Sequence, residues 1–213
     1  MRLALERGRV FRSAGEAEHA RPYFAAAFQR AGDAGEDALA VDAAHMLALI
    51  ETDPALQATW NERALALAEA ASDPLARRWR ASLLNNHGWT RHGEGRFEEA
   101  LDLFTRALAA REEMGEAGSV RVARWCVARA LRSLGRIEEA LAAQQALAAE
   151  IAADASAAPD GFVFEEIAEC LVALGRAEEA RPWFARAHGE LAKDPRFVEA
   201  EGERLERLRN RSR

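Results

Sequence analysis

The sequence predicts an all-α protein built from a repeated helical unit, and three observations support this fold class. Hydrophobic residues make up 49% of the 213 positions and charged residues 30%, with heavy use of the helix formers Ala, Leu, Glu and Arg. Tyr occurs once and runs of Val, Ile and Thr are missing, which argues against sheet. Four glycines lie at multiples of forty residues from one another: Gly15, Gly95, Gly135 and Gly175. We therefore expect a single domain over 1–213 in which one helical unit recurs.

Each of these glycines sits in a similar phrase, which predicts the end of one helix and the start of the next. The phrases are SAGEAEHA, GEGRFEEA, SLGRIEEA and ALGRAEEA. The glycine can adopt the positive φ that ends a helix, and Glu in the first turn of the following helix complements its dipole. The closing alanines are small enough to let the second helix pack closely on the first: Ala20, Ala100, Ala140 and Ala180. Each unit is thus a helical hairpin that must stack on its neighbours to bury its apolar face.

The units resemble tetratricopeptide repeats, whose pattern places small and aromatic residues at fixed offsets in two helices. The matching residues of the first, third and fifth units are Gly8, Phe11, Ala20, Phe24, Ala27; Leu84, Gly88, Phe97, Ala100, Phe104, Ala107; and Phe164, Ala168, Leu171, Ala180, Phe184, Ala187. The usual period is 34 residues, so these units carry about six extra. The resemblance covers nearly the whole chain and implies a right-handed superhelical solenoid whose first helices line a concave groove.

The repeat predicts five antiparallel helical hairpins followed by a capping helix. The hairpins are expected at about 1–36, 37–73, 74–116, 117–158 and 159–194, and the capping helix at 195–210. The second unit diverges, because Thr52-Asp53-Pro54 stands where the glycine phrase is expected. Asp can cap a helix and Pro suits its first turn, so a hairpin is still expected there, as is a new helix after Asp194-Pro195.

Charge and hydropathy argue against nucleic-acid and membrane partners. The net charge of −6 provides no basic field for nucleic acid, and no apolar run approaches the ~18 residues of a membrane span. The N-terminal MRLALERGRVF is interrupted by Arg and Glu, so it lacks the apolar stretch of a signal peptide. The two cysteines, Cys126 and Cys170, have no metal or redox spacing. We expect a cytoplasmic protein with reduced thiols.

The sequence contains no arrangement of catalytic, phosphate-binding or metal-binding residues that is typical of an enzyme. The GEGRF phrase lacks both the full spacing and the Lys-Ser/Thr of a phosphate-binding loop. His87 and His92 are five residues apart, which does not place them on one helical face as a zinc motif requires. The recurring Glu-Glu pairs fall at helix starts, where the helix dipole explains them. We therefore expect no catalysis, no cofactor and no metal.

The resemblance implies that the groove binds a peptide or protein segment. Counting along the first helices gives the groove positions Asn85, Asn86, Trp89, His92, Trp125, Arg129, Arg132, Glu165 and Glu169. Aromatic residues and Arg in a concave patch are common hot spots, and Asn side chains can bond a peptide backbone. The sequence thus predicts a protein-interaction module.

Other interpretations remain open from the sequence. Arg129 could instead stack on Trp89 and pair with Glu169, in which case the groove side chains would bond one another rather than a ligand. In a second interpretation, the chain senses a peptide or small molecule and acts through a partner, since it has no room for an output domain. In a third, it forms a homo-oligomer through apolar surface at one end of the array.

Overall fold

In the computed structural model, residues 1–115 and 117–213 are described, and every regular element among them is a helix. The predicted all-α class is therefore confirmed. Two compact units emerge, Met1–Gly115 (unit 1) and Glu116–Arg213 (unit 2). The boundary predicted between the third and fourth hairpins falls at residue 116, which lies outside the described residues.

Unit 1 contains three hairpins. The first pairs α1 (Arg2–Ser13) with α2 (Ala17–Ala34), and the second pairs α3 (Asp37–Ile50) with α4 (Pro54–Ala70). A short helix, α5 (Pro74–Arg77), precedes the third pair, α6 (Arg80–Gly93) and α7 (Phe97–Met114). Each later hairpin packs on the second helix of the one before it, α3 on α2 and α6 on α4.

In its described part, unit 2 contains the remaining two hairpins and the C-terminal helices. The pairs are α8 (Ala117–Ser133) with α9 (Ile137–Ala153), and α10 (Gly161–Ala173) with α11 (Ala177–Leu191). Helix α10 packs on α9. With the three pairs of unit 1, these account for the five predicted hairpins.

The capping segment differs from the single helix predicted at 195–210. It is divided into α12 (Pro195–Ala200) and α13 (Gly202–Arg211). The division falls at Glu201, which leaves helical geometry with φ −126° and ψ 31°, next to the poor helix former Gly202. Helix α13 packs on α11 and buries Leu205 and Leu208, whereas α12 buries no residue. The buried apolar residues that cover the last hairpin therefore come from the second half of the segment.

The turn glycines behave as the repeat pattern predicts. Gly15, Gly95, Gly135 and Gly175 have φ values of 78°, 77°, 76° and 75°, a region that side chains with a Cβ rarely adopt. The alanines that close the four phrases are all fully buried. The divergent hairpin turns differently: the Asp53 carboxylate accepts hydrogen bonds from the backbone N–H of Ala55 at 2.8 Å and of Leu56 at 3.4 Å, capping α4.

The two helices of a hairpin approach closely where a glycine faces a buried phenylalanine. A Cβ placed on Gly8 would lie 2.4 Å from the Phe24 ring, and one on Gly88 would lie 2.6 Å from the Phe104 ring. Both rings are completely buried. The repeat positions shared with tetratricopeptide units are thus the positions that set the packing of each hairpin.

Candidate functional site

The predicted groove residues occur in both units. Asn85, Asn86, Trp89 and His92 lie on α6 in unit 1, and Trp125, Arg129, Arg132, Glu165 and Glu169 lie on α8 and α10 in unit 2. Each group is described within its own unit.

Asn86 and Trp89 line a pocket of about 340 Å³ in unit 1. We call it the amide pocket, because three carboxamide side chains contribute to its wall. Its lining residues are Ala48, Leu49, Gln57, Asn61, Asn86, Trp89 and Thr90. They come from α3, α4 and α6, which the packing of α6 on α4 brings together. Asn85 and His92, although predicted alongside them, are not among the residues that line it.

Contacts within unit 1 involve several residues of the amide pocket. The Gln57 Nε2 donates a hydrogen bond to the Ala48 carbonyl oxygen at 3.4 Å, and the Thr90 hydroxyl donates to the Asn86 carbonyl oxygen at 3.2 Å. The half-buried Trp89 ring lies 5.1 Å from the Phe104 ring, between centroids. Leu49 contributes an apolar side chain that is 41% exposed. The pocket therefore combines three carboxamide groups, of which that of Gln57 is held by a hydrogen bond, with apolar surface.

In unit 2, the arginines predicted as groove residues bind a carboxylate of their own chain. Arg132 holds Glu166 in a two-pronged contact, with Nε to Oε2 at 2.7 Å and Nη2 to Oε1 at 3.0 Å. Arg129 Nε lies 3.3 Å from the same carboxylate, so its partner is Glu166 rather than the Glu169 considered from the sequence. Glu166 is buried, and the pair of arginines neutralises it between α8 and α10.

The other two glutamates of α10 are held by α13. Arg204 contacts Glu165 with Nε to Oε1 at 3.0 Å and Nη2 to Oε2 at 2.7 Å, and Arg211 Nη1 donates to Glu169. The carboxylates of α10 are thus shared between α8 on one side and α13 on the other. Their predicted role as peptide contacts stays a prediction, and their charges are neutralised by arginines of the chain itself.

Burial, together with the charges of this ion-pair network, shifts the pKa values of Cys170 and Arg129. Burial raises the pKa of the Cys170 thiol to about 11, and the Glu166 carboxylate acts in the same direction. Burial lowers the pKa of Arg129, although Glu166 opposes that effect. At neutral pH Cys170 is therefore a protonated, buried thiol, which is the inert form of cysteine.

Trp125, predicted as a hot spot, takes part in an aromatic row of unit 2. Its ring lies 6.3 Å from that of Phe162, which lies 5.6 Å from that of Phe197. The Arg204 guanidinium sits 5.4 Å from the Phe162 ring centroid. The row thus links α8, α10 and α12.

Arg91 and His87 of α6 lie at positions where the repeat usually has apolar residues, and a polar contact between hairpins accounts for Arg91. Arg91 of α6 bonds to Glu62 of α4 at 2.8 Å and to Glu94 at 3.0 Å. His87 is buried, its Nε2 lies 3.9 Å from Glu62, and neither ring nitrogen has a hydrogen-bond partner among the described residues. Burial and the nearby Arg91 lower the pKa of His87, so it is neutral at pH 7.

Two further searches concern only residues 1–115 and 117–213. None of their helices has the length and apolar character needed to cross a membrane. Within the same residues, no three His, Cys, Asp or Glu side chains are grouped so that they could hold a metal ion.

Solved structures identify the class of fold. A putative kinesin light chain from Podosopora anserina with nearly identical TPR-like repeats is 19% identical, with a TM-score of 0.72 and coverage of 92% of this chain and 96% of that one. A structure of MamA protein is 16% identical, with a TM-score of 0.61 and coverage of 90% and 91%. A scan against protein-family models gave no match, and neither did a search of curated proteins.

The chain therefore has the fold of TPR-like helical repeat proteins. The resemblance to tetratricopeptide repeats that the sequence motifs predicted is confirmed at the level of the fold. At these identities the likeness extends to the fold alone, so the site must be argued from the side chains of this chain.

Proposed function

We propose that the protein is a non-catalytic interaction module that binds an extended peptide or protein segment at the amide pocket of unit 1. The observation that carries this proposal is the set of groups that line the pocket: the carboxamides of Gln57, Asn61 and Asn86 beside Trp89 and Leu49. A carboxamide offers both a donor and an acceptor, as a peptide backbone does, so the two can pair without a net charge on either side.

The shape and chemistry of the pocket favour a peptide over a small charged metabolite. The pocket is open rather than enclosed, and none of its lining residues carries a charge. A phosphate or carboxylate ligand would need Arg or Lys at its centre, because such anions are recognised by charged donors. The half-buried Trp89 provides the large, rigid aromatic surface that anchors protein segments. The charged groove residues of unit 2, by contrast, are already bonded to Glu166, Arg204 and Arg211 of the same chain, so they support the proposal less.

The proposal is tested by selecting ligands and then mapping them. A phage-displayed library of unstructured peptides is selected against the purified chain, and the binders are titrated by fluorescence anisotropy. We expect Trp89→Ala to cost about 2 kcal/mol, or roughly thirtyfold in affinity, and Asn86→Ala to cost about 1 kcal/mol. Circular dichroism verifies that each variant remains folded.

Trp125→Ala is the matched control, since it removes the other predicted groove tryptophan from unit 2. We expect it to leave the affinity unchanged. Selected peptides that bind Trp89→Ala and Asn86→Ala as tightly as the wild type would show that the amide pocket is not the site. A loss confined to Trp125→Ala would place the site in unit 2.

A further inference from the structure

The connection between the second and third hairpins is longer than the one before it and carries basic residues. Helices α2 and α3 are joined by residues 35–36, whereas α4 and α6 are joined by residues 71–79, which include α5. Arg77 and Arg78 lie in this connection, and Arg80 is the first residue of α6. The link between α2 and α3 shows that two hairpins can stack without such a segment, so the packing of the repeat does not account for these arginines.

This connection is anchored to the body of unit 1. Ala76 is completely buried in an apolar cluster with residues of α3, α4, α6 and α7, and Trp79 packs against the same cluster. The Arg77 Nε donates a hydrogen bond to the Ala71 carbonyl oxygen at 2.7 Å. Among the described residues, no acceptor is bonded to the Nη groups of Arg77, and the residue is exposed. The guanidinium is therefore held by the backbone with its Nη groups available to a ligand.

The three arginines line a pocket of about 320 Å³, which we call the arginine pocket. Its lining residues are Pro74, Arg77, Arg78, Arg80, Ala81, Ala110, Glu113 and Met114. They come from α5, the start of α6 and the end of α7, so the pocket is contained in unit 1. It shares no lining residue with the amide pocket. The two pockets are therefore separate sites of the same unit.

The charge of the arginine pocket favours an anionic ligand. Three arginines (+3) and one glutamate (−1) give its lining a net charge of +2, in a protein whose net charge is −6. The glutamate, Glu113, accepts a hydrogen bond from Arg80 Nη2 at 2.6 Å. The Glu113 side chain is 68% exposed and that of Arg80 is 35% exposed, so solvent weakens this pair. A ligand with a larger negative charge than a carboxylate can therefore compete with Glu113 for Arg80.

From these observations we propose that the arginine pocket binds a phosphate group, carried by a small metabolite or by a phosphorylated side chain. A phosphate monoester has a charge of about −1.5 to −2 at pH 7 and three acceptor oxygens, which complements a lining of charge +2. The planar guanidinium of Arg77 can donate two parallel N–H groups to it. Ala81, Ala110 and Met114 provide an apolar wall for the rest of the ligand. The proposal does not depend on peptide binding at the amide pocket.

The test is titration calorimetry of the full chain at low ionic strength, where charge interactions are least screened. The probes are inorganic phosphate, ribose 5-phosphate and phosphoserine with both termini blocked, and blocked serine is the uncharged control. We expect saturable binding of inorganic phosphate and no binding of blocked serine. The ester that binds more tightly distinguishes a small metabolite from a phosphorylated side chain as the carrier of the phosphate.

Two variants should change the affinity for inorganic phosphate in opposite directions. Arg77→Ala should weaken binding about tenfold, because it removes charge-assisted hydrogen bonds to the ligand. Glu113→Gln should strengthen binding about threefold, since it releases Arg80 and makes the lining more positive. Both side chains are exposed, so the variants should stay folded, which circular dichroism verifies.

Arg30→Ala is the matched control, because it removes the same charge from an exposed arginine of α2, outside the pocket, and should leave the affinity unchanged. The proposal is overturned if the wild-type chain binds none of the phosphate probes, or if Arg77→Ala and Arg30→Ala lower the affinity equally. It is also overturned if Glu113→Gln weakens binding. Sodium acetate is titrated in parallel: acetate bound as tightly as phosphate would contradict the preference for a phosphate group.

Discussion

Gly88 lies where α6 meets α7, and a methyl group has no room there. A Cβ on this residue would come within 2.6 Å of the Phe104 ring, which is completely buried. Gly32, in α2, has no atom within 4 Å of the same position. Two opposing effects therefore act on these two glycines: the flexibility of each costs helix stability, but at Gly88, unlike Gly32, the missing Cβ also allows the helices to approach.

A pair of variants separates these effects. Gly88→Ala should destabilise the protein by about 1–2 kcal/mol, because the strain of overpacking exceeds the gain in helix propensity. Gly32→Ala should stabilise it by up to about 1 kcal/mol, since only the propensity changes. Urea unfolding monitored by circular dichroism measures both. Equal effects of the two substitutions would mean that the close contact between α6 and α7 contributes nothing to stability.

At the scale of helices, α10 is held through its carboxylates. The buried Glu166 is bonded by Arg132 and Arg129 of α8, whereas Glu165 and Glu169 are bonded by arginines of α13. A buried ion pair stabilises the fold only while both partners are present. Removing the carboxylate leaves the arginines partly desolvated without an opposite charge, which costs free energy of folding. The network therefore fixes the packing of three helices in unit 2.

Removing the charge of Glu166 tests this role. The side chain of Glu166 is 6% exposed and that of Arg132 is 23% exposed, so Glu166→Gln should destabilise the protein by about 2 kcal/mol. Glu139→Gln is matched in chemistry, since Glu139 also forms a two-pronged contact, with Arg136. That pair is exposed, so its loss should cost much less than the loss of the Glu166 charge. Thermal unfolding compares the two; similar losses would contradict the importance of burial.

The elements that follow from local chemistry were predictable from the sequence. A glycine that must adopt positive φ and an Asp-Pro pair that caps a helix act within a few residues, so the hairpins could be placed from their motifs. The partner of Arg129 could not, because Glu166 and Glu169 both lie on α10 and only the relative rotation of α8 and α10 selects between them. The break at Glu201 was missed because Phe197, Leu205 and Leu208 keep a helical spacing on both sides of it.

At the scale of the whole molecule, the amide pocket is contained in a single compact unit. All its lining residues lie between Ala48 and Thr90, inside unit 1. The sequence singled out Asn86 and Trp89, but it gave no reason to choose Leu49, Gln57 and Asn61. Those three belong to the divergent second hairpin, where the motif that sets the register is replaced by Thr52–Pro54.

The central claim is that a peptide segment binds at the amide pocket, and nuclear magnetic resonance measures this most directly. A peptide selected for binding is titrated into the ¹⁵N-labelled chain, and the side-chain N–H signals of Trp89, Asn86, Gln57 and Asn61 are followed. We expect these four side chains to shift together and to saturate at the affinity measured by anisotropy. Saturable binding that leaves them unmoved, and instead shifts the Trp125 indole and the arginines around Glu166, would contradict the account.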